Sequence, residues 1–423
     1  MLGVSLSQLL GQDEVSAFLK GVVAGGRFAN AYLFHGPAGV GKCTAALAFA
    51  RAMMCERGAG GESASPDLSA AAEPAAAPPR KRAAGRRAPG AAAGAAPDAA
   101  TPRDEACGAC AACGKSAGLQ HPDLRFLFPV SGEEKELETT VAETLAAVRS
   151  DPLFVFTYEK AASIRLSLTR ELLRELAYKP FEAARRVVLV RDADRMREDQ
   201  YSAMLKSIEE PGASTVWILT TARLQRLPAT IRSRCQRVRF APLPEPLVRD
   251  FLTRRADVSE REARVLSALA GGSLARALAL REAKPLELRD QALALLEPAL
   301  RGDPVALWKA IQGFTRFGRA GRESLRLMVE FHELWLRDLL RARYDASRET
   351  LVHRDREAEI RKLASSADAA EIRRRLLVLE EVLRAIEGNV TPELALFSGL
   401  SRVAGERLGE GEWPRAATAR WDY

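Results

Sequence analysis

The residues best suited to chemistry lie between Gly36 and Thr44, in the stretch GPAGVGKCT. Gly36, Gly41 and Lys42 satisfy the pattern G-x-x-x-x-G-K-[ST], and Gly39 adds a further unhindered position between them. Glycines are needed because backbone N–H groups must close around phosphate oxygens, where a Cβ would obstruct them. The helix after the loop offers its positive dipole end, and Lys42 reaches toward the β- and γ-phosphates. One position departs from the pattern. The Ser/Thr hydroxyl that holds Mg²⁺ is replaced by Cys43, with Thr44 one residue late. Magnesium prefers hard oxygen ligands, so a phosphate-cradling loop is expected here more firmly than a working hydrolase.

A second constellation is CGACAAC, which sets Cys107, Cys110 and Cys113 three residues apart. A tetrahedral zinc site takes four ligands. Cys55 is the expected fourth and His121 its rival. The long gap to Cys55 is tolerable because loop-closure entropy grows only logarithmically with length. A redox C-x-x-C pair suits three evenly spaced cysteines badly, and isolated thiols are the plainer alternative.

The third constellation is negative. The run RVVLV at Arg186–Val190 reads as a buried parallel strand of the kind that delivers a metal-binding acid and a water-activating acid. The next four residues are Arg191-Asp192-Ala193-Asp194. In one alignment Arg191 has replaced the metal carboxylate. In the other Asp192 binds metal and Ala193 has replaced the base. Either way the acidic pair is broken. Farther on, Thr220-Thr221 end a strand where a hydroxyl could sense a γ-phosphate or simply close the strand. In LPATIRSRCQRVRF, Cys235 reads as a small buried apolar residue.

The elements that must position these groups come in a recognisable order. Residues 3–34 read as a helix-rich lead-in, Tyr32–Phe34 as a strand, and the helix after the glycine loop ends near Cys55. From about 58 to 103 the chain is Ala-, Gly-, Pro- and Ser-rich and is expected to be a disordered, solvated insert. Further helices are expected near Val141–Arg149 and Leu166–Tyr178, and strands at Thr215–Leu219 and Arg237–Phe240. The region between Phe126 and Ser163 is weakly patterned. Beyond Pro244 the periodicity is helical. Gly271-Gly272-Ser273 breaks one helix and caps the next, with Arg276 one turn inside.

The chain has 423 residues, enough for two or three domains, and a formal charge of +8 that suits an anionic partner. No apolar run approaches the ~20 residues of a membrane span. The N-terminus lacks the basic–apolar–small pattern of a secretory signal, so a cytoplasmic location is expected.

Taken together, GQDEV, NAYLFHGPAGVGK, the four cysteines, MLKSIEEP, LPATIRSRCQ and AGGSLARALAL resemble, in this order, the AAA+ subunits of the bacterial DNA polymerase III clamp loader. The resemblance is strong over about 30–55, 107–125 and 164–290, and looser toward IEGNVTPELAL. It implies an α/β AAA+ domain with a parallel sheet and zinc module (1–242), a helical lid (243–287) and an all-α collar (288–423). Cys43 and Arg191 depart from the tau/gamma motor pattern, while Ser233-Arg234-Cys235 is intact, which is closer to the delta-prime kind. The resemblance then implies a stator with weak or absent ATPase activity. Arg234 would be an arginine finger offered in trans, and Gly36, Gly39, Gly41, Lys42, Cys43, Thr44, Asp192, Thr221 and Arg276 would line a site for ATP and possible Mg²⁺. Cys55, Cys107, Cys110 and Cys113 would hold structural Zn²⁺. Implied partners are the motor and delta subunits, and through the complex a sliding clamp and primed DNA at the replisome. An active motor using Thr44 and Asp192, and a DNA-repair adaptor, are the alternatives.

Overall fold

The computed structural model describes residues 3–57, 104–131, 134–151, 154–156, 162–209, 214–281, 284–315, 319–344, 347–388 and 390–405. The expected disordered insert at about 58–103 lies outside the described residues. Contacts divide the chain into two units, Met1–Pro242 and Leu243–Tyr423.

Among the described residues the first unit is built on five strands: β1 (Ala31–His35), β2 (Leu124–Leu127), β3 (Arg186–Val190), β4 (Thr215–Thr221) and β5 (Gln236–Arg239). Their order is β2-β3-β4-β1-β5, and every neighbouring pair is parallel. Helices α1 (Asp13–Gly25), α2 (Lys42–Met53), α3 (Ala111–Ala117), α4 (Leu137–Ser150), α5 (Leu166–Glu175), α6 (Glu198–Glu209) and α7 (Ala229–Arg234) complete it. β3 and β4 are buried along their whole length, as their unbroken apolar runs require of interior parallel strands. Edge strand β5 buries only Val238.

Side chains alternate across the sheet. Tyr32 and Phe34 of β1 join a core with Val15, Leu19 and Phe49 of α1 and α2. Ala31 and Leu33 point to the other face, with Leu172, Met204, Ile208 and Ile231 of α5, α6 and α7. The register aligns the carboxyl ends of β1 and β4, pairing Phe34 with Thr220 and His35 with Thr221, and sets Val190 beside Leu219. The glycine loop, Arg191-Asp192 and Thr220-Thr221 therefore emerge at one edge, the edge at which open parallel sheets place their ligands.

Two sequence expectations are corrected. β2 was not foreseen: it starts at Leu124 and runs into the weakly patterned region that begins at Phe126, and LRFL is short and lacks a β-branched run. The fifth helix stops at Glu175 rather than Tyr178, where Arg186 captures the carbonyls of Glu175 and Tyr178.

The second unit is helical among its described residues: α8 (Glu245–Arg255), α9 (Glu260–Ala270), α10 (Leu274–Arg281), α11 (Pro285–Ala294), α12 (Leu296–Leu300), α13 (Pro304–Thr315), α14 (Arg319–Arg343), α15 (Glu357–Ser366), α16 (Ala369–Glu387) and α17 (Pro392–Ala404). Gly271 ends α9 in the left-handed conformation at φ 56°, and Ser273 Oγ accepts from Arg276 N–H at 3.2 Å to start α10. Gly399 lets α17 close on α16, since a Cβ there would lie 2.2 Å from Val382 Cγ2.

Candidate nucleotide site and metal centre

The glycine loop joins β1 to α2. Gly36 has φ 146°, and a Cβ on it would lie 2.2 Å from the Phe240 carbonyl oxygen, so only glycine lets the loop pass the backbone beyond β5. Gly39 and Gly41 are also left-handed, at φ 74° and 99°. Gln12 is buried and braces the loop from the side, its Nε2 donating to Ala241 O at 2.8 Å and Val40 O at 3.5 Å. Lys42 opens α2 and is buried. Its ammonium donates to the loop's own carbonyls, Gly36 O at 2.8 Å and Pro37 O. Burial draws Lys42 down to about 8, against the opposing pull of Asp192. A phosphate entering the loop would exchange those carbonyls for stronger, charge-assisted partners.

The residues at the magnesium position do not fit magnesium. Cys43 is buried, and burial raises its pKa, so it presents a neutral thiol. The Arg191 side chain hydrogen-bonds that thiol. Arg191 Nε lies 3.3 Å from Asp192 Oδ2, and the guanidinium carbon sits 4.0 Å from the centroid of the Phe156 ring. β3 ends at Val190, so Arg191 is the first residue beyond it and the one whose side chain reaches Cys43. Asp192 adopts a left-handed conformation at φ 48°, and its N–H donates to Thr220 Oγ1 at 3.1 Å. Thr44 is half-buried in the first turn of α2.

Thr221 has a structural engagement that spacing could not indicate. Its hydroxyl donates to buried Asp194 Oδ1 at 2.7 Å and accepts from Arg223 N–H at 2.9 Å. Asp194 Oδ2 also accepts from Arg223 Nε at 2.7 Å. Asp194 escaped the sequence reading because it lies outside both alignments of the acidic pair, two places beyond the first and one beyond the second.

The four expected cysteines converge. The sulfurs of Cys55, Cys107, Cys110 and Cys113 lie within 4.8 Å of one another, with Cys107 and Cys113 at 3.9 Å. Backbone N–H groups point at three sulfurs at 3.4 Å: Cys107 N at Cys55, Cys110 N at Cys107, and Cys113 N at Cys110. Burial opposes ionisation of Cys107, but the amides of Ala109 and Cys110 and the neighbouring thiols outweigh it and bring the thiol to about 6. Zinc–thiolate bonds of about 2.3 Å in tetrahedral geometry need sulfurs this close, and an all-cysteine set closes the site as structural zinc does. The donor set fits, and zinc bound there would clamp α3 to the end of α2. His121 is not part of it. Its Nδ1 accepts from Asp123 N–H at 3.1 Å and its Nε2 faces Glu182 at 3.4 Å.

Arg234 ends α7 on the exposed surface. Its Nε meets Glu209 at 2.5 Å and its Nη1 donates to Thr230 O at 3.1 Å. Cys235 beside it is buried, which pushes its thiol up to about 12 and agrees with the apolar reading. Arg276, in the second unit, donates from Nη2 to both carboxylate oxygens of Glu330, at 2.7 and 2.5 Å.

The model of the family described as "DNA polymerase III, delta subunit" matches residues 11–69 and 91–244, half of the chain. The chain belongs to that family. Within it, the chain is similar to the delta' subunit of Pseudomonas aeruginosa PAO1, at 28% identity over 68% of this chain and 68% of that one. It is similar to the Bacillus subtilis delta' subunit at 25% identity, over 60% of this chain and 55% of the relative. The Bacillus subtilis tau subunit matches at 22%, over 64% of this chain and 36% of the relative. The matches to both Bacillus relatives thus cover less than two thirds of their lengths. With its glycine loop and five-stranded parallel sheet, the first unit has the α/β, parallel-sheet architecture that the resemblance implied.

Proposed function

We propose that this chain is a delta-prime-type subunit of a DNA polymerase III clamp loader. It acts as a stator that turns over ATP weakly or not at all and offers Arg234 to the ATP site of an adjacent motor subunit. The observation that best supports this reading is the pairing of Arg191 with Cys43, a guanidinium and a thiol at the two positions where the motif expects a hydrolase's metal ligands. Arg234 supports it from the other side. It is exposed at the end of a helix, and an exposed ion pair such as Arg234–Glu209 is worth only about 0–1 kcal/mol, so it yields readily to a phosphate. A guanidinium offered in trans would stabilise charge developing on a transferred phosphoryl group. Zinc at Cys55, Cys107, Cys110 and Cys113 serves structure.

In this reading the second unit comprises a lid (243–287) and a collar (288–423). Its partners are the tau/gamma motor and delta subunits and, through the complex, a sliding clamp and primed DNA in the bacterial cytoplasm. Among the described residues no helix is long and apolar enough to cross a membrane. The test is reconstitution with motor subunits, delta, clamp and primed DNA. Arg234→Ala lowers ATPase and clamp loading by at least about tenfold while the complex still assembles. Unchanged loading would remove the finger assignment.

A second reading, a motor subunit using Thr44 and Asp192, is favoured by the intact GPAGVGK loop and the match to tau. ATP turnover by the purified chain alone, lost in Lys42→Ala, would establish it.

A further inference from the structure

The two departures from a magnesium site are one construction. Cys43 and Arg191 lie on different elements, α2 and the end of β3, yet their side chains satisfy each other. The guanidinium is held firmly. The backbone N–H of Arg191 donates to Leu127 O at 2.8 Å, and the guanidinium carbon lies over the Phe156 ring, 4.0 Å from its centroid. That ring packs edge-on against Phe128, centroids 5.6 Å apart, and against Phe126 of β2 at 6.3 Å. Asp192 flanks Nε. The side chain nevertheless keeps 18% of its surface exposed, at the edge where the glycine loop and Lys42 emerge.

A permanent cation so placed excludes a divalent one. Mg²⁺ would meet a thiol in place of a hydroxyl and a positive charge in place of a carboxylate. A guanidinium, by contrast, binds phosphate through a planar fork of donors and is less strongly hydrated than an ammonium. Lys42 and Arg191 supply two positive charges to the loop without any metal.

We propose that this glycine loop binds the polyphosphate of a nucleotide without a divalent metal, Arg191 occupying the position of Mg²⁺. This rests on reading the loop as a nucleotide site. Bound nucleotide then stays unhydrolysed, because neither metal nor acidic pair is present to activate water, and it acts as a fixed structural ligand.

The experiment titrates the full chain with a fluorescent ATP analogue, once in EDTA and once in excess Mg²⁺. Affinity in EDTA equals or exceeds that in Mg²⁺, and Arg191→Ala weakens binding in EDTA by about tenfold or more. The double variant Cys43→Thr/Arg191→Asp reverses the dependence, binding better with Mg²⁺. Wild-type binding that needs Mg²⁺ would overturn the proposal while leaving the nucleotide reading intact. Absence of binding in both buffers, for wild type and double variant alike, would overturn both.

Discussion

The carboxylate of Asp123 and the guanidinium of Arg186 grip opposite sides of one loop, with Oδ1 and Nε 4.0 Å apart. Fully buried Asp123 accepts from the N–H groups of Phe181 at 2.6 Å and of Glu182 and Ala183 at 2.9 Å. Arg186 donates to the carbonyls of Glu175, Tyr178 and Lys179 at 2.7, 3.2 and 3.1 Å. The loop's own backbone groups are thus consumed inward while Tyr178 and Phe181 stand 76% and 83% exposed. Asp123→Asn exchanges an acceptor oxygen for a donor facing N–H groups. It is expected to cost on the order of 2 kcal/mol and to open the segment around Tyr178–Phe181 to proteolysis. Cleavage and melting identical to wild type would show that the loop is held by something else.

Gly36→Ala tests the glycine loop. The added Cβ would meet backbone, the Phe240 carbonyl, which cannot swing aside as a flexible side chain would. Nucleotide affinity should fall at least about tenfold, with a loss of several kcal/mol in stability, from combined backbone strain and overpacking. Gly21→Ala, with nothing near its Cβ, is the control and should leave binding unchanged.

For the cysteine site, the purified chain should carry about one zinc, and its removal should be a folding event, since binding energy at such sites is folding energy. Metal analysis and thermal melting read the outcome. Chelation or Cys107→Ser should lower Tm by roughly 10 °C. A metal-free preparation that melts at the same temperature as a zinc-loaded one would rule out a structural role.

The second unit contains a pH-sensitive residue. His332 is buried on α14, and burial lowers it from 6.5 to about 4, against hydrogen bonds to Met328 and Ala292. Its folded pKa lies below its unfolded value, so the unfolded chain takes up a proton first as pH falls. Stability is therefore intact above pH 6.5 and declines from there to about 4, by on the order of 2–3 kcal/mol. His332→Asn should lower baseline stability but flatten that stretch of the pH profile. An unchanged slope in urea melts between pH 7 and 4.5 would assign the dependence to other groups.

Legibility in the sequence ends where partners are distant or elements are short. RVVLV declared itself because five consecutive residues, four of them apolar and mostly β-branched, suit only a buried strand, and β3 spans those same residues. LRFL, its neighbour in the sheet, did not, since four residues with a central arginine carry too little periodicity. The cysteine set was readable because ligand chemistry restricts the residue types, and His121 was excluded only when its two ring nitrogens proved to face Asp123 and Glu182. Thr221 was correctly placed at the end of β4, but its hydroxyl points to Asp194, 27 residues away in sequence. Arg276 was correctly placed one turn inside α10, but its guanidinium is held by Glu330, 54 residues away.

By itself the sequence determined the glycine loop, the strand feeding it, the helix receiving it, the four thiols and the missing acidic pair. These depend on residue type and short spacing, which act within a turn or a strand. Tertiary structure decided which distant groups satisfy one another: Arg191 with Cys43, Thr221 with Asp194, Asp123 with the loop at Phe181. Such pairings arise from the order β2-β3-β4-β1-β5, which brings strand ends together across long stretches of chain. A buried polar group must find its partner among whatever that order places beside it, and no local pattern records the result.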